Sequence, residues 1–195
     1  MQVEWRGMAG GDLPVVKALG DAIHRDFPER FDVLAERYRL YPQGCRVLSA
    51  VPGTETGARA ENSAVLGYAL SHPWGEVPPA LDTLLGALPM PPTTYYLHDL
   101  ALAPALRGTG AARELVAWLA ATAQKAGFRH LSLTAVGDSH GFWARQGFAP
   151  IGAAADDEGA LARALASYGA TARLLRLPLA AGMSRTKPEW SVRPR

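Results

Sequence analysis

The sequence predicts an α/β (α+β) domain: a mixed, mostly antiparallel sheet of about seven strands flanked by about four or five helices. Three observations predict it. Short alternating apolar runs are interleaved with longer stretches in which apolar residues recur at helical spacing. Two of the strand runs are joined by a polar, glycine-containing segment of the hairpin kind, and a strand–helix–strand passage lies in the middle of the chain. The 195 residues, 48% of them hydrophobic, suffice for one sizeable core. We expect a single domain over residues 1–180 and a flexible tail over 181–195, where Arg, Lys and Pro accumulate.

Val3-Glu4-Trp5-Arg6 alternates like a strand, and Asp12 stands as an N-cap before Leu13-Pro14, with Leu13, Val16, Leu19 and Ile23 on one helical face. A second amphipathic helix is expected from Glu29 to Tyr38, ending before Tyr41-Pro42-Gln43-Gly44. Cys45–Val51 and Ala64–Ser71 read as strands of a hairpin closed through residues 52–63. From His72 to Thr93 five prolines follow the first, which argues against a central strand and for a long ordered excursion. Its apolar stripe, Trp74, Leu81, Leu84, Leu85 and Leu88, is helix-compatible and suits packing or an acceptor pocket. Tyr95–Ala103 is a strongly apolar strand, Gly110–Ala126 a helix closed by Gly127, and Phe128–Val136 the next strand. A short helix over Ser139–Gln146, a short strand over Phe148–Ile151 and a last strand over Ala170–Leu177 complete the pattern.

Composition excludes several classes. Twenty basic and 18 acidic residues are mixed along the chain for a net charge of +2, which leaves no patch suited to nucleic acid. No apolar run approaches the ~20 residues that cross a bilayer, so no membrane partner is expected. The single cysteine, Cys45, has no internal partner, and the N-terminal residues lack a secretory pattern; both point to a cytoplasmic location. Cys45 reads as a small buried hydrophobe. His24, His72, His98, His130 and His140 show no ligand spacing, so no metal is expected. Nothing excludes a homodimer.

The most informative stretch runs from Leu100-Ala101-Leu102 through Arg107-Gly108-Thr109-Gly110-Ala111-Ala112: a strand, a small-residue turn and a helix start. Without bulky side chains, backbone N–H groups aim at an anion and the helix dipole adds attraction, a geometry suited to a pyrophosphate. The third glycine of a dinucleotide-binding turn is absent, since Arg113 stands there, and no Gly-Lys-Ser/Thr follows Gly110.

What remains, Arg-x-x-Gly-x-Ala read as Arg107, Gly110 and Ala112, resembles the coenzyme A motif of the GNAT acetyltransferases. The match extends to YYLHDLALAP, which looks like that family's fourth strand, to FRHLSLTAV as its fifth, and to GFWARQGF as the following helix. The resemblance implies a GNAT fold splayed near the coenzyme and acetyl-CoA as acyl donor. It also implies pairing of the Leu100, Ala101 and Leu102 backbones with pantetheine, a pyrophosphate on Arg107 to Ala112, and Phe142 and Trp143 beside the coenzyme. The activity implied is direct transfer to a primary amine of a small molecule or peptide within a ternary complex.

Such a transfer needs a base, because an amine is mostly ammonium at neutral pH. His98, with an ordinary pKa of about 6.5, is the leading candidate, and Asp99 is its rival. Strand alternation would place Tyr96, His98 and Leu100 on one face and Asp99 on the other. Tyr96-Leu97-His98-Asp99-Leu100-Ala101-Leu102 resembles the His-x-His relay strand of the arylalkylamine branch, with tyrosine for the first histidine. Where many relatives carry an acidic tyrosine this chain has Trp143, whose indole does not yield a proton; Ser139, Tyr96 or water is left to protonate the thiolate. Trp143 therefore also leaves open a non-catalytic module that binds or senses acyl-CoA.

Overall fold

The computed structural model describes residues 2–51, 64–152 and 157–180. Its elements are β1 Val3–Gly7, α1 Leu13–Ile23, α2 Phe31–Leu40, β2 Arg46–Ala50, β3 Val65–Trp74, β4 Thr94–Leu102, α3 Ala111–Lys125, β5 His130–Ala135, α4 His140–Arg145, β6 Ala149–Pro150, α5 Glu158–Ala166 and β7 Arg173–Pro178. One seven-stranded sheet has the order β1-β2-β3-β4-β5-β7-β6. The pairs β1/β2, β2/β3, β5/β7 and β6/β7 are antiparallel. So are β3 and β4, because Ala103 N–H donates to Leu66 O at one end and Thr93 N–H to Trp74 O at the other. Along β4 and β5 the numbers rise together, Thr94 meeting Ser132 and Tyr96 meeting Thr134, which makes that pair parallel and α3 its crossover. This is the mixed, mostly antiparallel sheet that the sequence predicts.

Contacts divide the chain into two compact units, one of Met1–His72, Pro79–Leu88 and Leu97–Ala112, the other of Pro73–Pro78, Pro89–Tyr96 and Arg113–Arg195. In the first, Leu13 and Val16 of α1 and Leu34 of α2 bury against Val47, Tyr68, Leu70 and Ala101. Each such aliphatic side chain contributes about 1.5–3 kcal/mol on leaving water. Asp12 ends a 3-10 turn at the entrance to α1, and its carboxylate accepts from Arg6 at 2.7 and 2.8 Å and from the Ala9 N–H at 2.8 Å, making no side-chain cap bond to the helix. A smaller cluster of Leu48, Leu106 and Ala111, with Trp5, Leu66 and Leu102 packed on it, supports the turn between β4 and α3.

The stripe of leucines within 79–88 forms no helix. Its backbone is satisfied from α2: the fully buried Arg37 donates to Thr83 O at 2.6 Å, and Glu36 accepts from the N–H groups of Leu85 and Gly86 at 2.6 and 3.0 Å. β3 also runs further than alternation suggests, taking in Pro73 and Trp74 at its end. In the second unit Leu115, Leu119 and Ala123 of α3 and Leu131 and Leu133 of β5 are buried, with Tyr95 edge-on to Phe128 at 5.7 Å. Helix α5, absent from the sequence reading, turns Leu161 and Ala164 inward. The hairpin loop 52–63 and the tail 181–195 lie outside the described residues.

Candidate functional site

After Leu102 the chain bends through a 3-10 turn, Pro104–Leu106, and then through Gly108 and Gly110, both at positive φ (+78° and +94°), before α3 begins at Ala111. Positive φ is a conformation that L-residues with a Cβ rarely adopt, and two such positions explain the glycine spacing. Among the described residues nothing lies within 4 Å of where a side chain would begin at either glycine, so the bend opens outward. The helix start leaves the Ala111 and Ala112 N–H groups without intrahelical acceptors, at the positive end of the dipole. Trp5 Nε1 fixes this end by donating to Ala111 O at 2.9 Å. The Thr109 hydroxyl is turned inward onto Leu106 O at 2.8 Å, so what this bend offers an anion is main-chain N–H, with Arg107 exposed beside it. A pyrophosphate fits such a donor set.

The preceding end of β4 carries the polar chemistry of the same unit. His98 Nε2 lies 3.0 Å from Glu29 Oε2, with the imidazole 1% and the carboxylate 9% exposed. The buried His72 ring is 6.1 Å from it, centroid to centroid. Asp99 is held from two sides: its Oδ2 accepts from the Tyr68 hydroxyl at 2.5 Å, and its Oδ1 is 3.1 Å from His24 Nε2. Simple alternation would separate His98 and Asp99, yet both meet partners from one short segment, His24 to Glu29. The Leu100 carbonyl also favours the charged form of the His24 ring. His98 as a residue is half-buried although its imidazole is enclosed, so the remaining exposure is on its backbone, next to Leu100 to Leu102.

Electrostatics follow from these contacts. Burial alone would raise the Asp99 pKa, but the close contact with His24, the Tyr68 hydrogen bond and the nearby His98 outweigh it and hold the carboxyl below the usual carboxylate range. Burial likewise works against His24⁺; the hydrogen bond and charge of Asp99, the Leu100 carbonyl and Glu29 prevail, and its pKa is raised. Burial, then the Asp99 charge, push the Tyr68 phenol well above its ordinary value. His24, Tyr68, Asp99 and Glu29 line an open pocket with Phe27, Leu34 and others.

The second unit holds the remaining expected residues. Tyr96 is buried, its hydroxyl 2.9 Å from Thr134 Oγ1. Ser139 precedes α4 as its N-cap residue, but its hydroxyl donates back to Val136 O at 2.6 Å. Trp143 is buried and edge-on to Phe142 and Phe148, at 4.8 and 5.4 Å, so within its own unit it serves as core. Among the described residues no group of three or more His, Cys, Asp and Glu side chains could hold a metal ion.

A family model described as the acetyltransferase (GNAT) family matches residues 16–148. The chain belongs to this family. The match takes in β4, the glycine bend and α3, and GNAT membership makes the protein an acetyltransferase. No curated protein matches the sequence. Among solved structures the fold is similar to Ard1 from Thermoplasma volcanium, with TM-score 0.63 and 11% identity over 92% of this chain and 99% of that one. It is similar to N-acetylglutamate synthase from Neisseria gonorrhoeae complexed with coenzyme A and N-acetyl-glutamate, at TM-score 0.62 and 17% identity, covering 92% of this chain and 36% of the other. It is also similar to Chaetomium thermophilum Naa20 in complex with a bisubstrate analogue, at TM-score 0.59 and 18% identity over 98% and 93% of the chains. Within this GNAT chain, sequence reasoning missed His24, Glu29 and Tyr68. The first was seen only as an unpaired histidine, and no local pattern marks the other two.

Proposed function

We propose that this chain is an acetyl-CoA-dependent N-acetyltransferase that passes the acetyl group directly to a primary amine of a small molecule or peptide within a ternary complex. The observation that carries the donor half is the unobstructed bend from Arg107 to Ala112, whose main-chain donors suit the diphosphate of coenzyme A. At the end of β4 Leu100 and Leu102 are half-buried, which supports pairing of the Leu100, Ala101 and Leu102 backbones with the pantetheine arm. Bound there, acetyl-CoA supplies the activated thioester. The chain's own part is to hold the donor by its backbone and to present titratable groups one residue before it, where an ammonium must lose a proton. The cytoplasm is the compartment that fits a lone, buried cysteine, and among the described residues no helix is long and apolar enough to cross a membrane.

Calorimetry with coenzyme A and thiol release from acetyl-CoA test the reading together. Wild type should bind the coenzyme and release thiol only in the presence of an amine. Gly110→Val, which places a β-branched residue at φ +94°, should lower coenzyme affinity by at least about tenfold. A wild type that takes up no coenzyme, or a Gly110→Val protein that binds it as well, would sink the proposal.

A further inference from the structure

The sequence directs attention to His98 as proton acceptor, yet its imidazole is 1% exposed and its Nε2 is turned to the Glu29 carboxylate. A different histidine, His24, is partly open to solvent. His24 caps the C-terminus of α1 and lines the pocket of Lys17, Asp21, Phe27, Glu29 and Leu34, with its side chain 28% exposed. Its Nε2 is the buried nitrogen and lies 3.1 Å from Asp99 Oδ1, so the exposure falls on the rest of the side chain. Resting on the proposed transferase activity, we infer that His24 is the general base of this chain, with Asp99 orienting its ring and Tyr68 anchoring Asp99.

The argument is one of commitment. Both Asp99 oxygens are engaged, one by Tyr68 at 2.5 Å and the other by His24 at 3.1 Å, so this carboxylate orients and does not itself collect a proton. A carboxylate on one imidazole nitrogen fixes the tautomer that leaves the lone pair on the other and stabilises the imidazolium once formed. The groups facing His24 are Asp99 and the Leu100 carbonyl from β4, Glu29 from its own segment, Tyr68 from β3, and the Lys17–Asp21 pair from α1. Burial works against the charged form, but Asp99, the Leu100 carbonyl and Glu29 outweigh it and raise the His24 pKa above its ordinary value. In the step itself Nδ1 takes one proton from the ammonium, and the released lone pair forms the N–C bond to the acetyl carbon. The C–S bond breaks as the thiolate leaves with the second amine proton, and Nδ1 then yields its proton to water. Tyr68 and Asp99 are positioning residues. Helix α1 makes room for them, since Gly20 is where the Tyr68 hydroxyl comes closest.

The test is the pH profile of kcat/KM with acetyl-CoA and a panel of phenethylamine, spermidine and short peptides with unblocked N-termini, alongside coenzyme A calorimetry. Wild type should show an acid limb above pH 6.5. His24→Gln should lose about 10²- to 10⁴-fold and the limb with it, with coenzyme affinity unchanged. His24→Ala should be partly rescued by added imidazole, and Asp99→Asn should move the limb to lower pH. A His24→Gln enzyme that keeps the wild-type rate and limb, or a limb that vanishes in His98→Gln alone, overturns the assignment while leaving the transferase standing. A wild type that binds coenzyme A and acylates none of the panel overturns both.

Discussion

Replacing Gly20 by alanine should destabilise the protein although it improves a helix. In the interior of α1, alanine is favoured over glycine by about 1 kcal/mol. Against that, a Cβ at position 20 would stand 2.6 Å from the Tyr68 hydroxyl oxygen, inside any real contact distance, while the ring carbons behind it, at 3.5 and 3.8 Å, would be in ordinary contact. Tyr68 is 1% exposed and its hydroxyl is held by Asp99. The relief is to shift the phenol off Asp99, and a hydrogen bond to a charged acceptor is worth about 1.5–3 kcal/mol. The balance is a net loss of roughly 0.5–2 kcal/mol, or about 1–8 °C in Tm for a chain of this size. The diagnostic is the double-mutant cycle followed by thermal and urea denaturation. In a Tyr68→Phe background the oxygen is gone, and Gly20→Ala should become neutral or stabilising by up to about 1 kcal/mol. If Gly20→Ala costs as much with phenylalanine at 68 as with tyrosine, the close approach is not the cause and the reasoning fails.

Three further outcomes follow from other contacts. His24 gains charge-stabilising partners on folding, so its contribution is full below its unfolded value near 6.5 and is lost as pH rises through its higher folded value. Asp99 works the other way, its contribution lost only as pH falls through a value below the ordinary one. His24→Gln should therefore cost more stability at pH 6 than at pH 9 in urea denaturation, and a pH-independent cost would refute the pairing. Burial raises the Cys45 thiol to about 12, so a thiol reagent at pH 8 should label it only in denaturant. Glu36→Ala removes the acceptor for the Leu85 and Gly86 amides and a partner of the buried Arg37; a loss of about 3–5 kcal/mol is expected, and a loss under 1 kcal/mol would show that 79–88 is not held this way.

The proposed donor half of the site is legible in the sequence because it is contiguous. A strand, two glycines at positive φ and a helix start follow one another within a dozen or so residues, and each is dictated by local sterics that a spacing pattern records. The proton-handling half is not, because its pairs join residues 69 apart, as for Glu29 and His98, and nothing near either partner announces the other. Alternation along β4 says nothing of the segment from His24 to Glu29, which supplies partners to both His98 and Asp99. The leucines of 79–88 misled for a related reason, since helical spacing cannot reveal that Glu36, more than 40 residues earlier, satisfies their amides. Trp143 stands where the motif places a neighbour of the coenzyme, and its packing against Phe142 and Phe148 buries the indole.

The segment between α1 and α2 meets the end of β4, where His24 and Glu29 face Asp99 and His98 and gather two imidazoles and two carboxylates around two consecutive residues. These contacts depend on one another. The carboxylates keep the histidines from being buried unpaired, and Tyr68 holds Asp99 where His24 can meet it. Gly20 in turn lets α1 come close enough for Tyr68 to reach. A change at Gly20 should therefore be felt first in the pH dependence of turnover and only later in coenzyme affinity, because the bend rests on a separate cluster built by Trp5, Leu48 and Leu106.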